Sequence, residues 1–159
     1  MFNKLDGSIA VLAPIDGTIK KIEDVTDPVF NSGMIGTGSA IIPSGTEVYP
    51  VFNGELVVSF HSGHAYGVQH KKGPQVLIHI GVDTVELEGK GFTKTDIPQG
   101  SKVKTSQKLV DVDFKILEEN KKSTDVIVIV TNDTIGNYKI TDLATGKIKV
   151  GEPLFYLRK

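Results

Sequence analysis

From Ile9 onward the chain is a succession of short apolar runs, rich in β-branched residues, broken by Gly, Pro, Asn and Asp. The breaks recur roughly every ten residues, and no stretch sustains helical spacing, so the pattern restricts the chain to an antiparallel all-β architecture. Strands are expected at Ile9–Leu12, Thr18–Ile22, Ala40–Ile42, Glu47–Val51, Glu55–Phe60, Val126–Val130, Lys139–Asp142 and Pro153–Leu157, with a further pair inside Ser101–Asp113. Asp16-Gly17 and Asn53-Gly54 are hairpin signals, because both residue types tolerate the positive φ that tight turns demand. Phe114–Lys121, FKILEENK, is the one segment with helix-forming composition, about two turns long.

Laid against itself, the chain repeats twice. Pro14–Ile19, PIDGTI, echoes Val51–Leu56, VFNGEL, and Lys102–Val110, KVKTSQKLV, echoes Lys147–Phe155, KIKVGEPLF. The echoes point to a duplicated strand-turn-strand unit, although hairpins of unrelated origin also resemble one another.

Glu23–Gly38 reads as a long irregular loop that carries Asp27, Val29, Phe30, Met34 and Ile35. So many apolar side chains in a loop imply that it is pinned to the body or used for contact. Gly33, Gly36 and Gly38 do not have GxGxxG spacing and no strand-loop-helix unit surrounds them, so they read as turn glycines and not as a nucleotide loop. His70-Lys71-Lys72-Gly73-Pro74 is a polar turn, and His61 and His70 are expected at the surface. Glu88–Gly100 carries turn chemistry.

With 159 residues the chain is expected to form a single domain, residues 1–159. Eighteen Lys and Arg balance nineteen Asp and Glu, and no basic patch is interleaved with aromatics, which disfavours nucleic-acid binding. There is no cysteine, so thiolate catalysis and cysteine-based zinc sites are excluded. Met1–Pro14 lacks the basic and apolar regions of a secretory leader, and no run approaches the ~20 apolar residues of a spanning helix, so the chain reads as soluble.

The chemistry concentrates in Val76–Leu87, VLIHIGVDTVEL, whose opening run Val76–Gly81 reads as a core strand with His79 in its middle. Apolar neighbours favour the uncharged imidazole, leaving a nucleophile or metal ligand at neutral pH. His64 lies upstream in SFHSGHAYGVQ, where a strand ends and turns. Both histidines could be ordinary residues, His79 satisfied by a backbone carbonyl and His64 in a loop. Zinc hydrolysis wants three protein ligands, and neither HxH nor HExxH occurs. A Ser-His-Asp hydrolase built from Ser62, His64 or His79, and Asp27 or Asp83 lacks a GxSxG elbow and an obvious oxyanion hole. Phosphoryl relay through histidine needs only a neutral imidazole nitrogen as nucleophile and a second imidazole to hydrogen-bond the phosphoryl oxygens.

The segments APIDGTI (Ala13–Ile19), His64-Ala65-Tyr66, and LIHIGVDTVEL followed by Gly89, Gly91 and Phe92 resemble the IIA domains of the glucose family of the bacterial phosphoenolpyruvate-dependent sugar phosphotransferase system (PTS). The likeness runs from about Leu12 to Leu157. It implies an antiparallel β-sandwich with duplicated strand-turn-strand halves, at most one or two short helices, and a cytoplasmic phosphotransferase component. His79 would accept a phosphoryl group from the phosphocarrier HPr and pass it to a cysteine on the IIB domain of a glucose-type permease. His64 would hydrogen-bond the group, with Ser62 in the same polar shell. Asp27 and Asp83 would flank the site, and Val29, Phe30, Ile35, Phe60, Leu77 and Val85 would form an apolar collar that docks partners. No cofactor is obligatory. The alternative the resemblance implies is a regulatory module that binds non-PTS proteins through the same face, with a zinc ion between His64 and His79 where a partner supplies a carboxylate. Met1–Gly7 is too short for a membrane-touching amphipathic segment, so direct membrane insertion is not expected.

Overall fold

The computed structural model describes residues 7–159, so the expectation about Met1–Gly7 lies, except for Gly7, outside the described residues. Among these residues the strands are β1 (Ile9–Leu12), β2 (Gly17–Lys21), β3 (Gly36–Pro43), β4 (Glu47–Val48), β5 (Gly54–Ser59), β6 (Ala65–Gln69), β7 (Gln75–Ile80), β8 (Phe92–Lys94), β9 (Lys102–Val103), β10 (Val110–Val112), β11 (Val126–Thr131), β12 (Lys139–Thr141), β13 (Lys147–Ile148) and β14 (Pro153–Arg158). Two short helices, α1 (Pro28–Asn31) and α2 (Phe114–Glu119), interrupt them. The architecture is the all-β sandwich expected.

An eight-stranded antiparallel sheet of order β13-β2-β3-β11-β7-β6-β5-β9 forms one layer, and two three-stranded sheets, β1-β14-β12 and β4-β10-β8, lie opposite. Alternation sorts the side chains. Val76, Ile78 and Ile80 of β7, Val126, Val128 and Val130 of β11, and Tyr66 and Val68 of β6 meet Val11, Val110, Leu154 and Leu157 in the main core. Leu77 and His79 point the other way, toward a smaller cluster of Ile22, Val25, Phe30, Ala40, Val82, Ile127 and Ile129. β11 is therefore apolar on both faces, which accounts for its uninterrupted Val-Ile-Val-Ile-Val run.

The sheet order is unchanged when β2, β3, β11 and β13 are exchanged for β5, β6, β7 and β9. Gly17 pairs with Ile148 and Gly54 with Val103, which are the positions the two sequence echoes align. The fold is thus duplicated. Between β7 and β11 the pairs Leu77–Ile129 and His79–Ile127 flank Ile78–Val128, so the approximate two-fold passes through that central pair. His79 maps onto Ile129, a fully buried aliphatic residue.

Several local expectations are corrected. The Val76–Gly81 strand runs from Gln75 and stops at Ile80, because Gly81 adopts positive φ, and Thr84–Leu87 then closes a 3-10 turn headed by the left-handed Asp83. The Glu23–Gly38 loop holds a 3-10 turn at Ile22–Asp24, helix α1 and the start of β3. Gly36 and Gly38 are strand glycines, not turn glycines: a Cβ there would lie 1.9 and 2.0 Å from the Val130 and Val128 carbonyl oxygens of β11. Within Glu88–Gly100, Phe92–Lys94 pairs as β8. His70 is half-buried, with its ring edge-on to Phe52 at 5.0 Å.

Candidate active site

His79 and His64 come together because β6 and β7 are neighbours. Ala65 lies directly opposite His79, and the Ile80 amide donates to the His64 carbonyl at 2.7 Å. The imidazole centroids are 5.2 Å apart at 75°. Phe60 extends the row beyond His64, centroids 5.0 Å apart, and Phe30 flanks His79 at 4.8 Å. The order is therefore Phe60, His64, His79, Phe30.

The backbone sets the chemistry of His79. Its Nδ1 lies 2.7 Å from the Gly81 carbonyl oxygen. A carbonyl only accepts, so Nδ1 carries the proton and Nε2 holds the lone pair. His64 Nδ1 lies 2.6 Å from Ser62 Oγ, and a Ser62 hydroxyl that donates there leaves His64 Nε2–H as a donor. Burial lowers the His79 pKa, against the opposing pull of the Gly81 hydrogen bond and of the Asp27 and Asp83 charges. His64 is 2% exposed, and its burial, reinforced by any charge on His79, holds it down at about 4. Both rings are therefore neutral at pH 7.

Asp27 and Asp83 arrive by different routes. Asp27 is the N-cap of α1, its Oδ1 accepting from the Val29 amide at 2.9 Å, and Pro28 is the first helical residue. That Asp-Pro pair is a helix-start signal that the loop reading of Glu23–Gly38 passed over. Asp83 is exposed and takes a left-handed conformation (φ 59°) at the head of the 3-10 turn, which the buried Thr84 anchors by donating to the Ile80 carbonyl at 2.6 Å.

The apolar residues divide into a floor and a rim. Phe30 is buried beneath the site, and Ile35 and Leu77 are half-buried against the same cluster. Val29, Phe60 and Val85 stand 39%, 47% and 54% exposed. Met34, three residues beyond α1, is more exposed still. The clefts formed by Ser44, Phe92 and Asp113, and by Phe52, His70 and Lys102, take in neither imidazole.

Three supporting residues were not legible as site residues. Gly81 supplies the carbonyl that holds His79, and its φ of 73° leaves a Cβ 2.6 Å from the Ser123 carbonyl oxygen. Thr84 fixes the turn below it. Lys94 donates to Ser59 Oγ and the Phe60 carbonyl, each at 2.9 Å, and so secures the loop that bears Phe60, Ser62 and His64. A glycine two residues after a strand histidine was the available signal for Gly81; nothing local marked Lys94.

Residues 9–135 match the family described as phosphoenolpyruvate-dependent sugar phosphotransferase system, EIIA 1. The chain is 42% identical over 139 residues to a PTS system glucose-specific EIIA component of Bacillus cereus, covering 83% of each. It is 38% identical over 157 residues to one from Mycoplasma capricolum, covering 99% of this chain and 98% of that one. The solved structure of a glucose permease IIA from Mycoplasma capricolum superimposes with a TM-score of 0.89 at 35% identity, over 98% of this chain and 99% of that one. Sequence, fold and duplicated sheet agree, and the chain belongs to the EIIA type 1 family of the phosphoenolpyruvate-dependent sugar phosphotransferase system.

Proposed function

We propose that this protein carries a phosphoryl group on His79 Nε2, taking it from phosphorylated HPr and handing it to a cysteine of the IIB domain of a glucose-type permease. The observation that carries the reading is the Nδ1–Gly81 hydrogen bond, which leaves Nε2 as the nucleophile, with a second imidazole 5.2 Å away. The Nε2 lone pair attacks phosphorus while the bond from phosphorus to the donor's nitrogen breaks, its electrons leaving with the donor. Nδ1 keeps its proton, so the phosphorylated ring is cationic. Asp27, Asp83 and the Gly81 carbonyl favour that charge, and a cationic ring is the better leaving group when a thiolate attacks.

His64 Nε2–H would donate to a phosphoryl oxygen, a charge-assisted bond that strengthens as the group arrives. Val29, Phe60 and Val85 would meet the partner and exclude water, slowing hydrolysis of the N–P bond between transfers. Among the described residues no helix is long and apolar enough to cross a membrane. The proposed setting is the cytoplasmic side of the permease.

The test is incubation with phosphoenolpyruvate, Enzyme I and HPr, followed by mass measurement before and after mild acid. The parent should gain one acid-labile phosphoryl group, His79→Ala should gain none, and His64→Gln should accept but pass the group on poorly. Labelling of His79→Ala at the parental rate would overturn the assignment.

A further inference from the structure

Lys20 on β2 lies three strands from His79, in the same cross-sheet row as Ala40 and Ile127. Its ammonium pairs, beyond the intervening β3, with Asp125 just ahead of β11 at 2.8 Å. The Asp125 carboxylate is nearly buried, with 9% of its side chain exposed, so the pair is shielded from the screening that makes surface ion pairs weak. Asp125 also accepts the Gly81 amide on its own backbone carbonyl at 2.8 Å. The neighbouring Ser123 carbonyl packs where Gly81 would carry a Cβ, and the Ser123 hydroxyl accepts from the Asp125 amide at 3.2 Å. Residues 123–125 therefore form the wall against which Gly81 rests, and Gly81 holds His79 Nδ1 at 2.7 Å.

We propose that the Lys20–Asp125 ion pair is a positioning device for phosphoryl transfer: it clamps residues 123–125, these fix Gly81, and the Gly81 carbonyl holds His79 in the tautomer whose Nε2 is free to react. The proposal rests on the reading of His79 as the acceptor. Lys20 and Asp125 are positioning residues that act on the ring only through the backbone. Removing the ammonium leaves the Asp125 carboxylate unpaired in its burial, so it must turn outward and carry its peptide with it.

The experiment compares the parent with Lys20→Met, Lys20→Arg and Asp125→Asn. Ring-nitrogen NMR shifts report the His79 tautomer, and rapid-quench kinetics report acceptance from phosphorylated HPr. Lys20→Met should populate the Nε2–H tautomer measurably and lower the maximal acceptance rate about tenfold, as slight misplacement of a reacting group does. The HPr concentration giving half-maximal rate should not change, because the docking rim is untouched. Lys20→Arg, which keeps the pair, should restore both readouts. Should Lys20→Met not fold, Asp125→Asn, isosteric and still able to accept from the ammonium, carries the same test with a smaller loss, roughly threefold. If the folded variants lost only thermal stability and kept the parental tautomer and rate, the pair would be a plain strand tie and the proposal would be wrong. A parent that accepts no phosphoryl group would instead overturn the reading of His79.

Discussion

Gly81→Ala places a single methyl group at the point where fold and chemistry meet. The backbone there has φ 73°, a left-handed conformation that costs an alanine about 1–2 kcal/mol. The new Cβ would stand 2.6 Å from the Ser123 carbonyl oxygen, 2.6 Å from Thr84 Cγ2 and 3.2 Å from Leu117 Cδ2. None of these can simply swing away. Ser123 Oγ holds the Asp125 amide, Thr84 is tied to the Ile80 carbonyl, and Leu117 is fully buried. Overpacking of this kind costs a further ~1–3 kcal/mol. The two terms give a destabilisation of about 2–5 kcal/mol, against a total that for most domains is ~5–15 kcal/mol. In urea that should lower the unfolding midpoint by roughly 1–2 M. In the fraction that stays folded, relief of the clash moves the Gly81 carbonyl off His79 Nδ1, and acceptance should fall more than the folded fraction does. A midpoint within about 0.3 M of the parent, combined with parental acceptance, would refute both the steric argument and the role of that carbonyl.

Between pH 6.5 and about 4 the unfolded chain binds the proton that folded His64 refuses, so stability should rise with pH over this window and be fully present above 6.5. His64→Gln should flatten the dependence of unfolding free energy on pH near pH 5 by up to about 1.4 kcal/mol per pH unit, measured by urea titration. As pH falls, acceptance should decline at a lower pH than it would for an ordinary histidine, because burial favours the neutral His79 ring. Asp27→Asn preserves the α1 cap while removing the charge, so melting should be unchanged while HPr binding weakens; Asp27→Ala should in addition lose about 1 kcal/mol of stability. Among the described residues no group of three His, Cys, Asp or Glu is gathered to hold a metal. Calorimetry with zinc alone should therefore show no tight one-to-one binding, and such binding would mean that His64 and His79 recruit a ligand from within the chain.

What could be read ahead of the coordinates was whatever the chain writes in period and punctuation. The turn dipeptides placed the starts of β2 and β5, and the Val126–Val130 run placed β11, because these signals are local. Both echoes were legible for the same reason, yet the pairing of Gly17 with Ile148 and of Gly54 with Val103 shows what they mean, since only the partner strand tells duplication from coincidence. His79 and His64 stood out by residue type and motif; that they would face one another depends on β6 pairing with β7. The 3-10 turn at Thr84–Leu87 was not legible, because it follows from the left-handed conformation of Asp83 and not from any periodic pattern. Lys20 and Asp125 are 105 positions apart and carry no motif, so their meeting is a property of the sheet alone.

The pairing of β1 with β14, Ile9 opposite Leu157, and of β2 with β13 governs how this protein can come off the ribosome. The four strands of the half-sheet that bears His79, β7-β6-β5-β9, all lie between residues 54 and 103 and can find one another while synthesis continues. β1 is made first but has no partner until β14 emerges, whereas β2 can already pair with β3 and waits only for β13, so β1 stays exposed longest. Such distant contacts slow folding and prolong the time in which unpaired edges can aggregate. A nascent chain halted once residue 103 has cleared the exit tunnel should therefore protect the His79 hairpin from proteolysis while β1 remains open to attack.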